Sequence, residues 1–174
     1  MLGIWQDMLK LWGNIPKRWL YLAGGMTVVI MYCSALYLQY MLRQEPCPLC
    51  MIQRAIFIAI GMLFFIAALH NARQIGAKVY SALILLTAMS GVAVAVRHIW
   101  IQHLPKDQVP SCGPGLDFML KNFPMSDVWR EVFHGSGECA EKGWTFLTLG
   151  IPEWALVSFV LLGVFAVMVG WKKN

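Results

Sequence analysis

Four apolar runs constrain this chain more than anything else in it. They fall at about 19–42, 49–69, 79–97 and 154–171. Each is close to the roughly 20 residues a helix needs to cross the hydrocarbon core of a bilayer. Of the 174 residues, 59% are hydrophobic and only 13% are charged, and the mean hydropathy is +0.60. Soluble domains carry about a quarter charged residues, so a soluble fold is a poor fit. The expectation is an all-α membrane protein, a four-transmembrane-helix bundle forming one integral domain over 1–174. No internal repeat or low-complexity tract interrupts it. Met1–Ile15 is amphipathic, with Asp7 and Lys10 inside it, and does not read as a cleavable signal peptide.

Four spans put both termini on one side, with segments 1–18, 70–78 and 172–174. Segments 43–48 and 98–153 lie on the other. Trp19, Tyr21, Tyr37 and Tyr40 sit near the two ends of the first run, where an aromatic belt is expected. The terminal side, with the polar turn His70–Lys78, carries seven lysines and arginines against a single acid, Asp7. The opposite side, with Arg97 at the end of the third run included, carries six basic residues against eight acids. Retention of positive charge on the cytoplasmic side therefore orients the termini inward. The net charge of +5 is a topology signal, and no nucleic-acid partner is expected. The long loop and the short 43–48 connection then lie on the non-cytoplasmic face.

The chemistry concentrates where the second run begins, at Pro46-Cys47-Pro48-Leu49-Cys50. Pro48 suits the first position of a helix, because its missing N–H would be unpaired there anyway. Cys47 then falls near the N-cap and Cys50 about one turn in. The positive end of the helix dipole favours a thiolate at either sulfur. Arg54 follows Cys50 by four residues and shares its helical face. An arginine inside an apolar span costs about 2.5–3.5 kcal/mol on insertion scales, which makes it a functional candidate. The competing reading is a snorkelling arginine beside a structural bridge. A bridge closing so small a loop, however, restricts the unfolded chain little.

The long loop carries a second pair, Cys112 and Cys139. Cys112 lies among prolines and glycines, and Gly135-Ser136-Gly137 loosens the chain before Cys139. Ser126–Phe133 reads as a short amphipathic helix with Ser126 at its N-cap. A bridge between Cys112 and Cys139 would contribute about 3–4 kcal/mol by loop entropy alone, so a structural role competes with a redox one. All four cysteines fall on the oxidising side of the membrane, where disulfides persist. Cys33, mid-span, is expected to pack as a small buried hydrophobe. His98, at the end of the third run, is the one histidine near the cysteines; His70, His103 and His134 read as surface residues.

Two cysteine pairs on one side can exchange electrons through mixed disulfides. The inner pair must then pass two electrons onward. Cys50 is followed by Met51, so the haem-attachment pattern fails, and no nucleotide or flavin loop is present. A lipid-soluble carrier remains, with a quinone the obvious one. Arg54 and His98 could stabilise charge developing on its oxygens.

These features resemble the disulfide bond formation protein B (DsbB) family, four-helix inner-membrane oxidoreductases of Gram-negative bacteria. The resemblance rests on Cys47-Pro-Leu-Cys50 with Arg54, on Gly91 to His98, on Cys112, on Cys139-Ala-Glu followed by Trp144, and on Ile151-Pro-Glu-Trp154. It implies redox disulfides Cys47–Cys50 and Cys112–Cys139. It also implies that a DsbA-type periplasmic protein attacks at Cys112, that Cys139 then attacks Cys47, and that Cys50 is released against ubiquinone (or menaquinone). Arg54 and His98 would line that quinone site. No metal is implied.

Four other readings compete. A vitamin K epoxide reductase-like protein carries its inner motif near its last spans, whereas here the motif opens the second. A specialised homologue could serve one dedicated partner. A non-catalytic membrane scaffold with two structural disulfides would have no use for Arg54. A metal-binding transporter would need more ligands than Cys47, Cys50 and His98 at one depth.

Overall fold

A computed structural model describes residues 15–41, 47–105, 118, 121–127, 137–140 and 145–172. Four long helices dominate: α1 (Lys17–Met41), α2 (Pro48–Leu69), α3 (Ile75–Gln102) and α4 (Ile151–Trp171). All four are long and apolar enough to cross a membrane. Each packs on the next in chain order, α3 against α4 most extensively, and α4 closes back on α1 through a smaller contact. The ends of the bundle therefore differ in content. One end gathers the start of α1, the start of α3 and the end of α4. There Lys172 Nζ donates to the Ile15 carbonyl, and Lys17 lies within electrostatic reach of both Lys78 and Lys172. The other end gathers the start of α2, the end of α3 and the start of α4.

Lipid tails are as apolar as leucine, so helices in a membrane associate through close packing rather than by expelling water. The chain achieves this with aromatic rings set against glycines. A Cβ on Gly24 of α1 would lie 2.7 Å from the Phe64 ring of α2, and one on Gly91 of α3 would lie 2.6 Å from the Phe159 ring of α4. Phe64 and Phe159 are both fully buried, and Phe159 stacks on Phe57 with ring centroids 4.2 Å apart. The central core thus runs through all four helices. Outward faces carry large apolar side chains such as Ile30, Met62, Leu86 and Leu161, as a lipid-facing surface should.

Several details depart from the sequence expectation. The polar turn at His70–Lys78 is shorter than expected, because α3 already begins at Ile75. Asn71 ends α2 in the left-handed region, at φ 47°. Its N–H donates to the Ala68 carbonyl, and the Ala72 N–H to that of Ala67. That is a Schellman closure with asparagine in the usual glycine position, and it reverses the chain within five residues. Tyr21 does not belong to the aromatic belt. It is fully buried, and its hydroxyl donates to the Ala77 carbonyl of α3; Trp19, Tyr37 and Tyr40 do face outward.

Cys33 is exposed on the outer face of α1, not buried, because α1 packs through its glycine-bearing face. Nor is the chain wholly helical. Thr145–Phe146 (β1) and Leu149–Gly150 (β2) pair antiparallel around Leu147 and Thr148, both at positive φ. In the loop, 125–127 is helical, so the helical turn begins at Met125 and Ser126 lies inside it rather than at its cap. The remainder of the expected 126–133 helix lies outside the described residues.

Candidate redox site at the loop end of the bundle

The start of α2 is built by its own sequence. Cys47 is the N-cap, in extended geometry, and Pro48 opens the helix. The Cys50 backbone N–H donates to Cys47 Sγ at 3.4 Å, so the cysteine takes the role a serine or aspartate usually plays at a cap. One turn brings the two sulfurs to 3.2 Å from each other. Cys47 is buried and Cys50 half-buried. The pair therefore sits in the positive field of a helix end, with Cys50 the more accessible sulfur.

α3 supplies the third member. His98 is only 2% exposed. Its Nε2 lies 3.7 Å from Cys47 Sγ and its Nδ1 lies 4.0 Å from Cys50 Sγ. α3 runs on to Gln102, so His98 is held within a helix rather than at its frayed tip. One turn before it, Val94 joins Leu49 and Ile101 in the apolar cluster that surrounds Cys47. His98 also interacts with the backbone of Cys139.

Cys139 lies in a 3-10 turn, Gly137–Ala140, which packs on α3. It is fully buried and shares the cluster of Cys47. The loop thus delivers one of its cysteines to the inner pair. Cys112 lies outside the described residues, and so does its expected bridge to Cys139.

Arg54 is half-buried. Its guanidinium donates to Gln39 Oε1 and, at 3.4 Å, to the Ala35 carbonyl, both on α1. Its charge lies within reach of Cys50. The arginine is therefore held in place by α1 and does not extend freely to the surface.

Two residues of this constellation were not expected from the sequence. Gln53 is 3% exposed and its Nε2 lies 3.5 Å from His98 Nδ1. Gln39 anchors Arg54. Both are amides inside otherwise apolar runs, and that isolation is the signal that could have singled them out. A buried amide needs a partner, and a partner worth holding is often a functional group.

A dithiol at a helix N-terminus, an imidazole against both sulfurs and a third cysteine in the same buried cluster form an arrangement suited to thiol–disulfide exchange. Comparison with known proteins agrees. The family model described as "Disulfide bond formation protein DsbB" matches residues 17–169. The chain belongs to the DsbB family. Relatives named Disulfide bond formation protein B include that of Chromobacterium violaceum, 50% identical over 92% of this chain and 98% of the relative. That of Nitrosococcus oceani is 48% identical over 88% and 90%. Disulfide bond formation protein B 1 of Pseudomonas aeruginosa is 40% identical over 87% and 93%. This DsbB-family chain is therefore a multi-pass membrane oxidoreductase of disulfide bond formation.

Proposed function

We propose that this protein is a membrane thiol:quinone oxidoreductase that reoxidises a DsbA-type periplasmic dithiol protein. The observation that carries this reading is the burial of Cys139 in the same cluster as Cys47. That burial sets a loop sulfur in the same cluster as the helix-mouth pair, the juxtaposition that sulfur exchange requires.

The proposed sequence conserves bonds at each step. A partner thiolate attacks Cys112 of a Cys112–Cys139 bridge, forming a mixed disulfide and releasing Cys139. Cys139 attacks Cys47, the buried sulfur of the inner bridge, and Cys50 leaves as a thiolate. The helix end and the nearby Arg54 charge stabilise that leaving group. The partner's second thiol displaces Cys112, and the partner departs oxidised. Cys112 then resolves the bond between Cys139 and Cys47, which restores the outer bridge and leaves the inner pair as a dithiol. His98, in contact with both inner sulfurs, is positioned to hold a proton taken from either thiol.

The inner dithiol must lose two electrons and two protons before the next cycle. A quinone, ubiquinone or menaquinone, supplies a bilayer-soluble acceptor for both. The residues fit such a group. Cys50 is the accessible sulfur, and Arg54 and His98 set a cation and an imidazole beside it, where an oxygen gaining negative charge would be stabilised. The lysine-rich end of the bundle would face the cytoplasm and the cysteine end the periplasm.

The test is anaerobic quinone reduction by purified protein with ubiquinone-1 and a reduced DsbA-like protein. Rapid loss of quinone absorbance that requires Cys47, Cys50, Cys112 and Cys139 is the expected result. No loss with any quinone or dithiol partner would leave the scaffold reading in its place.

A further inference from the structure

We propose that the reduced Cys47–Cys50 dithiol and His98 together form a binding site for a thiophilic d10 cation, with zinc the representative case, and that this ion holds the pair out of the redox cycle. The three side chains each offer one ligand atom, and these atoms lie within 4.8 Å of one another. A metal-binding transporter would need more ligands than these three, but a single held ion needs no more when water takes the fourth position, and α3 carries His98 onto both sulfurs.

The geometry can be compared with what an ion requires. Zinc–sulfur bonds of about 2.3 Å and a zinc–nitrogen bond of about 2.0–2.1 Å, arranged tetrahedrally, set the sulfurs about 3.8 Å apart and the nitrogen about 3.6 Å from each. Cys47 Sγ and His98 Nε2 are 3.7 Å apart, already at that spacing, whereas Cys50 Sγ approaches the ring at Nδ1, 4.0 Å away, and has to turn toward Nε2. The sulfurs are 3.2 Å apart, and a small χ1 rotation at half-buried Cys50 opens them by the remaining half ångström or so.

Gln53 completes the site from behind. With its amide turned so that Oε1 faces His98, it accepts a hydrogen bond from Nδ1–H, which leaves the Nε2 lone pair directed at the ion. Leu49, Val94 and Ile101 pack around Cys47 and shield that side from water. The exposed edge of Cys50 leaves a path of entry, and the fourth position stays open to water or another sulfur.

Such a site exists in only one redox state. In the disulfide each sulfur is committed to its neighbour, whereas in the dithiol both are available as thiolates. Binding releases the two thiol protons and changes no oxidation state. The bound form can neither be attacked at Cys47 nor pass electrons through Cys50 until the ion leaves. This last consequence rests on the redox cycle proposed above; the binding itself does not.

The experiment uses the full chain in detergent with Cys112 and Cys139 replaced by serine, fully reduced, freed of reductant and kept anaerobic. Zinc is titrated, and the bound ion is examined by X-ray absorption. We expect one equivalent bound by the dithiol and none by the disulfide, with two sulfur neighbours and an imidazole. H98Q should weaken binding by about tenfold or more. Absence of stoichiometric binding to the dithiol would overturn the proposal. So would a zinc spectrum without imidazole scattering, which would reduce the site to plain dithiol chelation. The spectrum is read with His98 intact and so decides the matter even if H98Q fails to fold.

Discussion

His98 of α3 holds its Nε2 3.7 Å from the sulfur of Cys47, at the N-cap of α2. The two residues are 51 positions apart in sequence, so only the packing of α2 against α3 makes the contact. Through its other nitrogen the same ring approaches Cys50. A single imidazole thus serves both sulfurs of the pair.

Replacing His98 should therefore slow sulfur chemistry rather than unfold the bundle. General acid–base groups contribute about 10²–10⁴-fold, so H98Q should lower quinone-linked turnover by about tenfold or more with little change in partner KM. The check is steady-state kinetics with both substrates varied. Turnover equal to that of the parent protein would remove the histidine from the site.

Gln53 should act through His98. Gln53→Leu removes the amide 3.5 Å from Nδ1 while keeping similar volume, and leaves a buried imidazole nitrogen without its neighbour. An unsatisfied buried group costs about 1–3 kcal/mol. We expect a shifted pH profile of turnover, partly restored in Gln53→Glu. A pH profile that matches the parent in both variants would assign Gln53 to packing alone.

Arg54 is anchored to α1 through Gln39 and the Ala35 carbonyl. Arg54→Met should raise the KM for quinone while leaving exchange with the dithiol partner intact, measured by trapping the mixed disulfide. Gln39→Leu should show the same split in weaker form. An unchanged quinone dependence in Arg54→Met would separate the arginine from quinone use.

Gly91 tests the packing. A methyl group there would lie 2.6 Å from the Phe159 ring, inside a fully buried contact. Overpacking of this kind costs about 1–3 kcal/mol, so Gly91→Ala should lower the unfolding midpoint in mixed micelles. Phe159→Leu in the same chain should recover part of the loss. Gly91 lies two helical turns before His98, so a drop in activity larger than the drop in folded fraction would signal that α3 has shifted at the site.

Cys33 gives the contrasting case. It is exposed on α1 and belongs to neither buried cluster, so Cys33→Ala should leave turnover unchanged and stability within about 0.5 kcal/mol. A large loss of turnover would show that this thiol enters the redox cycle.

Much of this protein was legible before any coordinates. The number of spans, the Cys47–Cys50 pair at the mouth of the second and the position of Arg54 within it all follow from local rules: span length set by bilayer thickness, a proline that can only open a helix, a charge out of place in an apolar run. The cap geometry at Cys47 came out as those rules require, because it depends on four consecutive residues. Exposure was less legible. Tyr21 and Cys33 both sit in the first apolar run, where hydropathy cannot distinguish a lipid-facing position from a helix-facing one, since both environments are apolar.

Run length and Pro48 are enough to build four membrane-length helices and to open the second with a dithiol. What surrounds that dithiol is set by how the helices pack. His98 meets both sulfurs, Gln53 meets His98, Gln39 holds Arg54 and Cys139 is buried beside Cys47. The first three depend on the rotation of each helix about its axis, which is set by the fit of Phe64 over Gly24 and Phe159 over Gly91; the last depends on how the 3-10 turn packs on α3. The spacing of residues along the chain carries no record of either.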